Sequence, residues 1–175
     1  NIIDPLLNVK YFSQHGFHIR FNRSENKLTI TKGNTSNILY IFGGKDESSY
    51  MLIQGITLAG VLLDEVALMP RSFVEQALAR CSVEGAKFWF NCNPDSPQHW
   101  FRKEWILQLE KHNAMHLHFL LDDNPSLSER KKQQYRTMYS GVFYQRYILG
   151  LWVMAEGRVY TMFDHSANVY KEAPL

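Results

Sequence analysis

Gly60-Val-Leu-Leu-Asp64-Glu65 decides the fold class, because an uncharged apolar run passes directly into an acidic pair. A strand apolar on both faces belongs in a sheet covered on both sides, the usual setting of a parallel α/β sheet. A second buried-strand candidate, Ala86-Lys-Phe-Trp-Phe90, enters Asn91-Cys-Asn-Pro-Asp95. A third, Met115-His-Leu-His-Phe-Leu-Leu121, stops at Asp122-Asp-Asn-Pro125. Helical spacings separate them. Ser72 reads as an N-cap with Glu75 at the capping-box position. Trp100, Ile106, Leu107 and Leu109 are spaced as on one helix. Strands alternating with helices predict βαβ units in a largely parallel sheet.

Upstream, Lys27-Leu-Thr-Ile-Thr31 and Ile38-Leu-Tyr-Ile-Phe42 flank Gly33-Asn-Thr-Ser36 and predict a hairpin. Apolar residues at 2, 3, 6, 7, 9 and 12 predict a helix ending at Gly16. Downstream, 126–149 predicts two helices broken near Ser140-Gly141 and closed by Gly150. From Gly157 onward the chain reads as a connector. With Asn1 in first place and no closing element, the sequence is expected to be a piece of a longer protein.

The 175 residues are 45% hydrophobic, with 11 Phe, 9 Tyr and 4 Trp, enough to build a core and to exclude a disordered or fibrous chain. Nineteen Lys and Arg against 17 Asp and Glu leave a net charge of +2, too little for a protein that holds nucleic acid by bulk charge. No apolar stretch approaches the ~20 residues of a membrane span. Cys81 and Cys92 form no disulfide framework and read as reduced, buried small residues.

An acidic pair at the carboxyl end of a parallel strand lies where open α/β sheets bind ligands. Asp64 can hold magnesium there, and Glu65 can orient or deprotonate an attacking water. Two solvated acids at a strand end give the same pattern, and the pattern alone leaves both readings open. Asn91, Asn93 and Asp95, one βα unit later, are placed to reach a γ-phosphate, although Asn-Pro and Ser-Pro are also ordinary turn formers. A G-x-x-x-x-G-K-[ST] loop is absent, since Gly43-Gly44-Lys45-Asp46 lacks both the first glycine and the final hydroxyl residue. His112, His116 and His118 lack the carboxylate or cysteine expected of a metal set. Arg130, Lys131, Lys132 and Arg136 form a basic helical stretch, open to DNA backbone contact or to plain solvation.

Taken in order, these segments resemble the large subunit of the terminase of tailed bacteriophages and prophages. The likeness is carried by Gly60-Val-Leu-Leu-Asp-Glu-Val-Ala67 and Phe90-Asn-Cys-Asn-Pro-Asp-Ser-Pro-Gln-His-Trp-Phe101. It continues in Asp122-Asp-Asn-Pro-Ser-Leu127, Gly141-Val-Phe-Tyr-Gln-Arg-Tyr-Ile-Leu-Gly-Leu-Trp152 and Ala155-Glu-Gly-Arg-Val-Tyr160. The resemblance implies an additional-strand, RecA-like P-loop NTPase fold of three layers with a mainly parallel sheet. Residues 1–156 would be the C-terminal portion of the ATPase domain, without its P-loop unit. Residues 157–175 would be a linker toward an RNase H-like nuclease domain absent from this sequence. Asp64 would be the Walker B ligand of Mg2+, Glu65 the catalytic base, and Asn91, Asn93 and Asp95 part of the coupling motif. ATP is the implied cofactor. Double-stranded DNA, the small terminase subunit, the portal protein and further copies of the chain are the implied partners, in the cytoplasm of the bacterial host. No arginine lies between Arg23 and Arg71, which leaves Arg71 or Arg80 for an arginine finger. A reading from another class stands beside this one: a catalytically inactive prophage remnant that binds DNA or protein.

Overall fold

The computed structural model describes residues 9–44 and 46–155, and these form two compact units. Among the described residues, the first comprises 9–44, 46–61 and 69–87, and the second comprises 62–68 and 88–155.

In the first unit a short helix, α1 (Lys10–Gln14), ends at Gly16, whose φ of 75° takes the left-handed conformation glycine adopts freely. The part of this helix expected before residue 9 and the connector from Gly157 lie outside the described residues. An antiparallel meander follows: β1 (His18–Asn22), β2 (Lys27–Lys32) and β3 (Thr35–Tyr40), in the order β1-β2-β3. Lys32 pairs with Thr35 across Gly33-Asn34, with Gly33 at φ 55°, the signature of a type II′ turn. The predicted hairpin forms, with a third strand that sequence reading overlooked. His18-Ile-Arg-Phe-Asn22 alternates, but its inward residues, Ile19 and Phe21, are too few to stand out.

A 3-10 stretch at Glu47–Ile53 packs against α2 (Arg71–Arg80), burying Ile53, Phe73, Val74 and Ala77. Asp46 caps the stretch: its carboxylate accepts from the Ser48 and Ser49 hydroxyls, and these bonds hold its pKa below the usual range. Ser72 does not cap α2. The helix starts earlier, after Pro70, which offers no side-chain cap, and Val74 N–H bonds to Pro70 O. Ser72 therefore lies within the first turn, and Glu75 pairs with Arg71 at 2.6 Å instead of closing a capping box. Gly44 has no room for a side chain, because a Cβ there would lie 2.6 Å from the Phe73 ring.

Strands β4 (Gly60–Leu63) and β5 (Lys87–Phe90) pair with each other. Lys87 N–H bonds to Ala59 O and Asn91 N–H to Leu63 O. The constant sequence offset between these partners shows that the strands run parallel. The fold is thus mixed α/β, with a parallel pair at β4-β5 and a separate antiparallel sheet formed by β1, β2 and β3 among the described residues.

The second unit continues with α3 (Trp100–Glu104), a 3-10 turn at Ile106–Gln108 and α4 (Leu109–His112), where one longer helix was expected. Phe90 packs on Phe101 and Trp105 with ring centroids 5.2 and 4.8 Å apart, and His112 stacks on Trp105 at 4.0 Å. Residues 115–119 do not form the third strand. No described strand lies alongside to take their backbone hydrogen bonds, and Met115, Leu117 and Phe119 are 81%, 59% and 72% exposed. After a 3-10 turn at Leu121–Asp123, helices α5 (Glu129–Met138) and α6 (Gly141–Tyr147) form as the sequence predicts. Gly150, at φ 64°, follows them, and the His118 ring lies where its Cβ would be.

Candidate functional site at the end of the parallel pair

Leu63 and Val66 are both buried, so the chain must turn between them while two acids stay in water. It does so by placing Glu65 at φ 57°, a left-handed conformation that L residues other than Asn and Asp seldom take. A 3-10 turn at Val66–Leu68 follows, with Leu68 N–H bonded to Glu65 O at 2.8 Å.

Asn91, the first residue after β5, holds this turn through four hydrogen bonds. Its N–H donates to Leu63 O at 3.2 Å and its carbonyl accepts from Val66 N–H at 2.9 Å. Its side chain spans the two acids: Oδ1 accepts from Glu65 N–H at 2.7 Å, and Nδ2 donates to Asp64 Oδ1 at 2.7 Å. Both carboxylates remain exposed.

A pocket of 240 Å³ opens beside the turn, lined by Glu65, Cys92, Asn93, Asp95, Arg146 and Tyr147 among others. Asp95 forms an ion pair with Arg146 at 2.5 Å, and Arg146 also donates to Val153 O at 2.8 Å from Nη2. Arg146 was not singled out by sequence reading. Its partners lie 51 and 7 residues away, and no local pattern links a helix arginine to a strand-end aspartate. Burial pushes the Cys92 thiol up to about 11, so it stays protonated at neutral pH.

Asp64, Glu65, Asn91, Asn93 and Asp95 are therefore brought together in the second unit. Arg71 and Arg80 belong to the first, where Arg71 pairs with Glu75 and Arg80 Nε is buried without a hydrogen-bond partner among the described residues. On α5, Lys132 is buried and donates from Nζ to Asp122 O at 3.1 Å, and Arg136 pairs with the Asp122 carboxylate. Arg130 and Lys131 face solvent. Among the described residues no group of three or more His, Cys, Asp and Glu is placed to hold a metal, and no helix is long and apolar enough to cross a membrane.

This donor set has a chemical consequence. One exposed carboxylate, with Oδ2 free of hydrogen bonds among the described residues, cannot cage a cation by itself. It does suit magnesium, which keeps several waters and binds through one or two carboxylates plus phosphate oxygens.

The chain belongs to the terminase large subunit family. The family described as "Terminase large subunit, T4likevirus-type, N-terminal" matches residues 8–166. Among solved structures, one crystal form of the large terminase of a thermophilic bacteriophage is 58% identical, covering 94% of this chain and 40% of its own, with a TM-score of 0.80. The same phage protein in complex with ADP is 55% identical with the same coverages and a TM-score of 0.81. Its complex with ATP-γ-S is 55% identical, covering 94% of this chain and 39% of its own, with a TM-score of 0.77. The chain thus spans about two fifths of the solved large terminase it resembles. No curated protein matches it.

Proposed function

We propose that this chain supplies the acidic-turn half of the ATPase site of a large terminase subunit, the motor that drives double-stranded viral DNA into procapsids. The observation that carries the proposal is the clamped Asp64-Glu65 turn at the carboxyl end of β4, in a chain whose solved relatives were captured with ADP and with ATP-γ-S. Residues 1–156 are then the C-terminal portion of a P-loop, RecA-like ATPase domain, and 157–175 lead toward a nuclease domain.

In this reading Asp64 offers its Oδ2 to a Mg2+ that arrives with ATP. The cation, when bound, neutralises charge building on the phosphate oxygens. Glu65, held out of the core by its left-handed backbone, accepts a proton from the attacking water. Asn93 and Asp95 lie on the loop that senses the nucleotide, and the Asp95–Arg146 pair ties that loop to α6. Arg71 or Arg80 acts as arginine finger. Arg130 and Lys131 are the members of the basic stretch available for DNA phosphates. The small terminase subunit, the portal protein and neighbouring copies of the chain complete the machine in the host cytoplasm.

The test is Glu65→Gln in a full-length large terminase carrying this segment. Turnover should fall by about 10²- to 10⁴-fold, the usual contribution of a general base, with nucleotide binding retained. Unchanged turnover would remove Glu65 from the chemistry and overturn the proposal.

A further inference from the structure

We infer that Asn91 is the positioning residue of the acidic turn, acting through Asp64 and Glu65 and not by reaching the nucleotide itself. The inference rests on the ATPase reading above. It replaces a phosphate-facing role for Asn91 with an inward one.

The orientation of the carboxamide follows from its neighbours. Oδ1 faces the Glu65 N–H and Nδ2 faces the Asp64 carboxylate, both at 2.7 Å. Flipping the amide would set donor against donor and oxygen against carboxylate, so only one assignment satisfies both sides. Each bond does separate work. The bond to Glu65 N–H stabilises a backbone conformation that a glutamate otherwise avoids, one in which Glu65 is exposed while Val66 is buried. The bond to Asp64 Oδ1 occupies one carboxylate oxygen of an exposed residue and leaves Oδ2 without a hydrogen bond among the described residues, as hydrogen-bonded carboxylates around metal sites keep an oxygen for the cation. Backbone bonds from the same residue to Leu63 and Val66 fix the origin of the side chain. Asn91 is exposed, so truncating it opens no core cavity.

The experiment uses two variants. Amide hydrogen exchange at Glu65 is measured in the 175-residue chain, and turnover in a full-length large terminase carrying the segment. Asn91→Ala removes both bonds. Glu65 N–H should then exchange at least about tenfold faster, the equivalent of one ordinary hydrogen bond. Asn91→Asp keeps an acceptor for Glu65 N–H but turns a second carboxylate toward Asp64, so Glu65 should remain protected while turnover still falls. In both variants kcat should drop by about 10- to 100-fold, with nucleotide bound as tightly as by the parent. A merely structural asparagine would not separate kcat from nucleotide affinity or divide the two variants at the Glu65 amide. Glu65 protection unchanged in Asn91→Ala, or kcat unchanged in either variant, overturns the inference. If Glu65→Gln leaves turnover intact, the ATPase reading fails on its own, and the Glu65 amide still decides whether the clamp exists.

Discussion

Glu65 has a backbone that suits glycine better than glutamate. At φ 57° its Cβ crowds the following carbonyl, a cost of about 1–2 kcal/mol that the Asn91 and Val66 contacts must offset. Sterically strained residues of this kind gather where a side chain is needed for chemistry. Stability and function should therefore separate at this position. Glu65→Gly is expected to keep or raise the unfolding free energy, by up to about 1 kcal/mol, in urea denaturation of the chain. The same change removes the proposed base and should silence turnover in a full-length large terminase carrying the segment. A clear loss of stability would mean that the glutamate side chain supports the fold. None of this strain was legible in Asp64-Glu65 as a sequence, because two acids after an apolar run give no sign of which backbone they will adopt.

Helix α5 shows how one basic stretch divides its labour. The sequence presents Arg130, Lys131, Lys132 and Arg136 as equals, yet helical geometry turns Lys132 and Arg136 toward Asp122 and leaves Arg130 and Lys131 outward. The Lys132 stem is buried and its ammonium serves the Asp122 carbonyl, so Lys132→Ala should destabilise the chain by about 1–3 kcal/mol in thermal or urea unfolding. Replacing Arg130 and Lys131 by alanine should leave stability nearly unchanged. In a full-length large terminase carrying the segment, that double change should weaken DNA binding and lower the salt slope by about 2, one for each lost phosphate contact. A DNA affinity indifferent to both substitutions would place the DNA elsewhere. Strands were similarly legible only in part. The runs ending at Leu63 and Phe90 found each other, whereas 115–119, which also reads as a strand, found no described partner, and periodicity cannot report whether a neighbour exists.

At the scale of the molecule, much of the architecture was readable because it depends on local signals: apolar runs, glycine turns and the break before α6. The remainder rests on contacts between distant residues, namely Asn91 with Asp64, Asp95 with Arg146 and Lys132 with Asp122. Those contacts place the site but leave no local trace in the sequence. The absence of a G-x-x-x-x-G-K-[ST] loop from these residues has a direct consequence, since the backbone cradle such a loop gives the phosphates is not supplied by that motif here. The 175-residue chain by itself is expected to hydrolyse ATP at no more than the background rate, measured as phosphate release with magnesium. Robust turnover abolished by Glu65→Gln would overturn this expectation and require a phosphate cradle of another kind.

The Asn91 carboxamide also gives the molecule a chemical clock. Asparagine is among the thermolabile residues, and hydrolysis of its amide, which consumes a water and releases ammonia, would leave a carboxylate in place of the amide. A group that now bridges an acid and a backbone amide would become one that repels the acid. Such ageing would break the Asn91–Asp64 contact at an exposed position while leaving the backbone bonds of Asn91 in place.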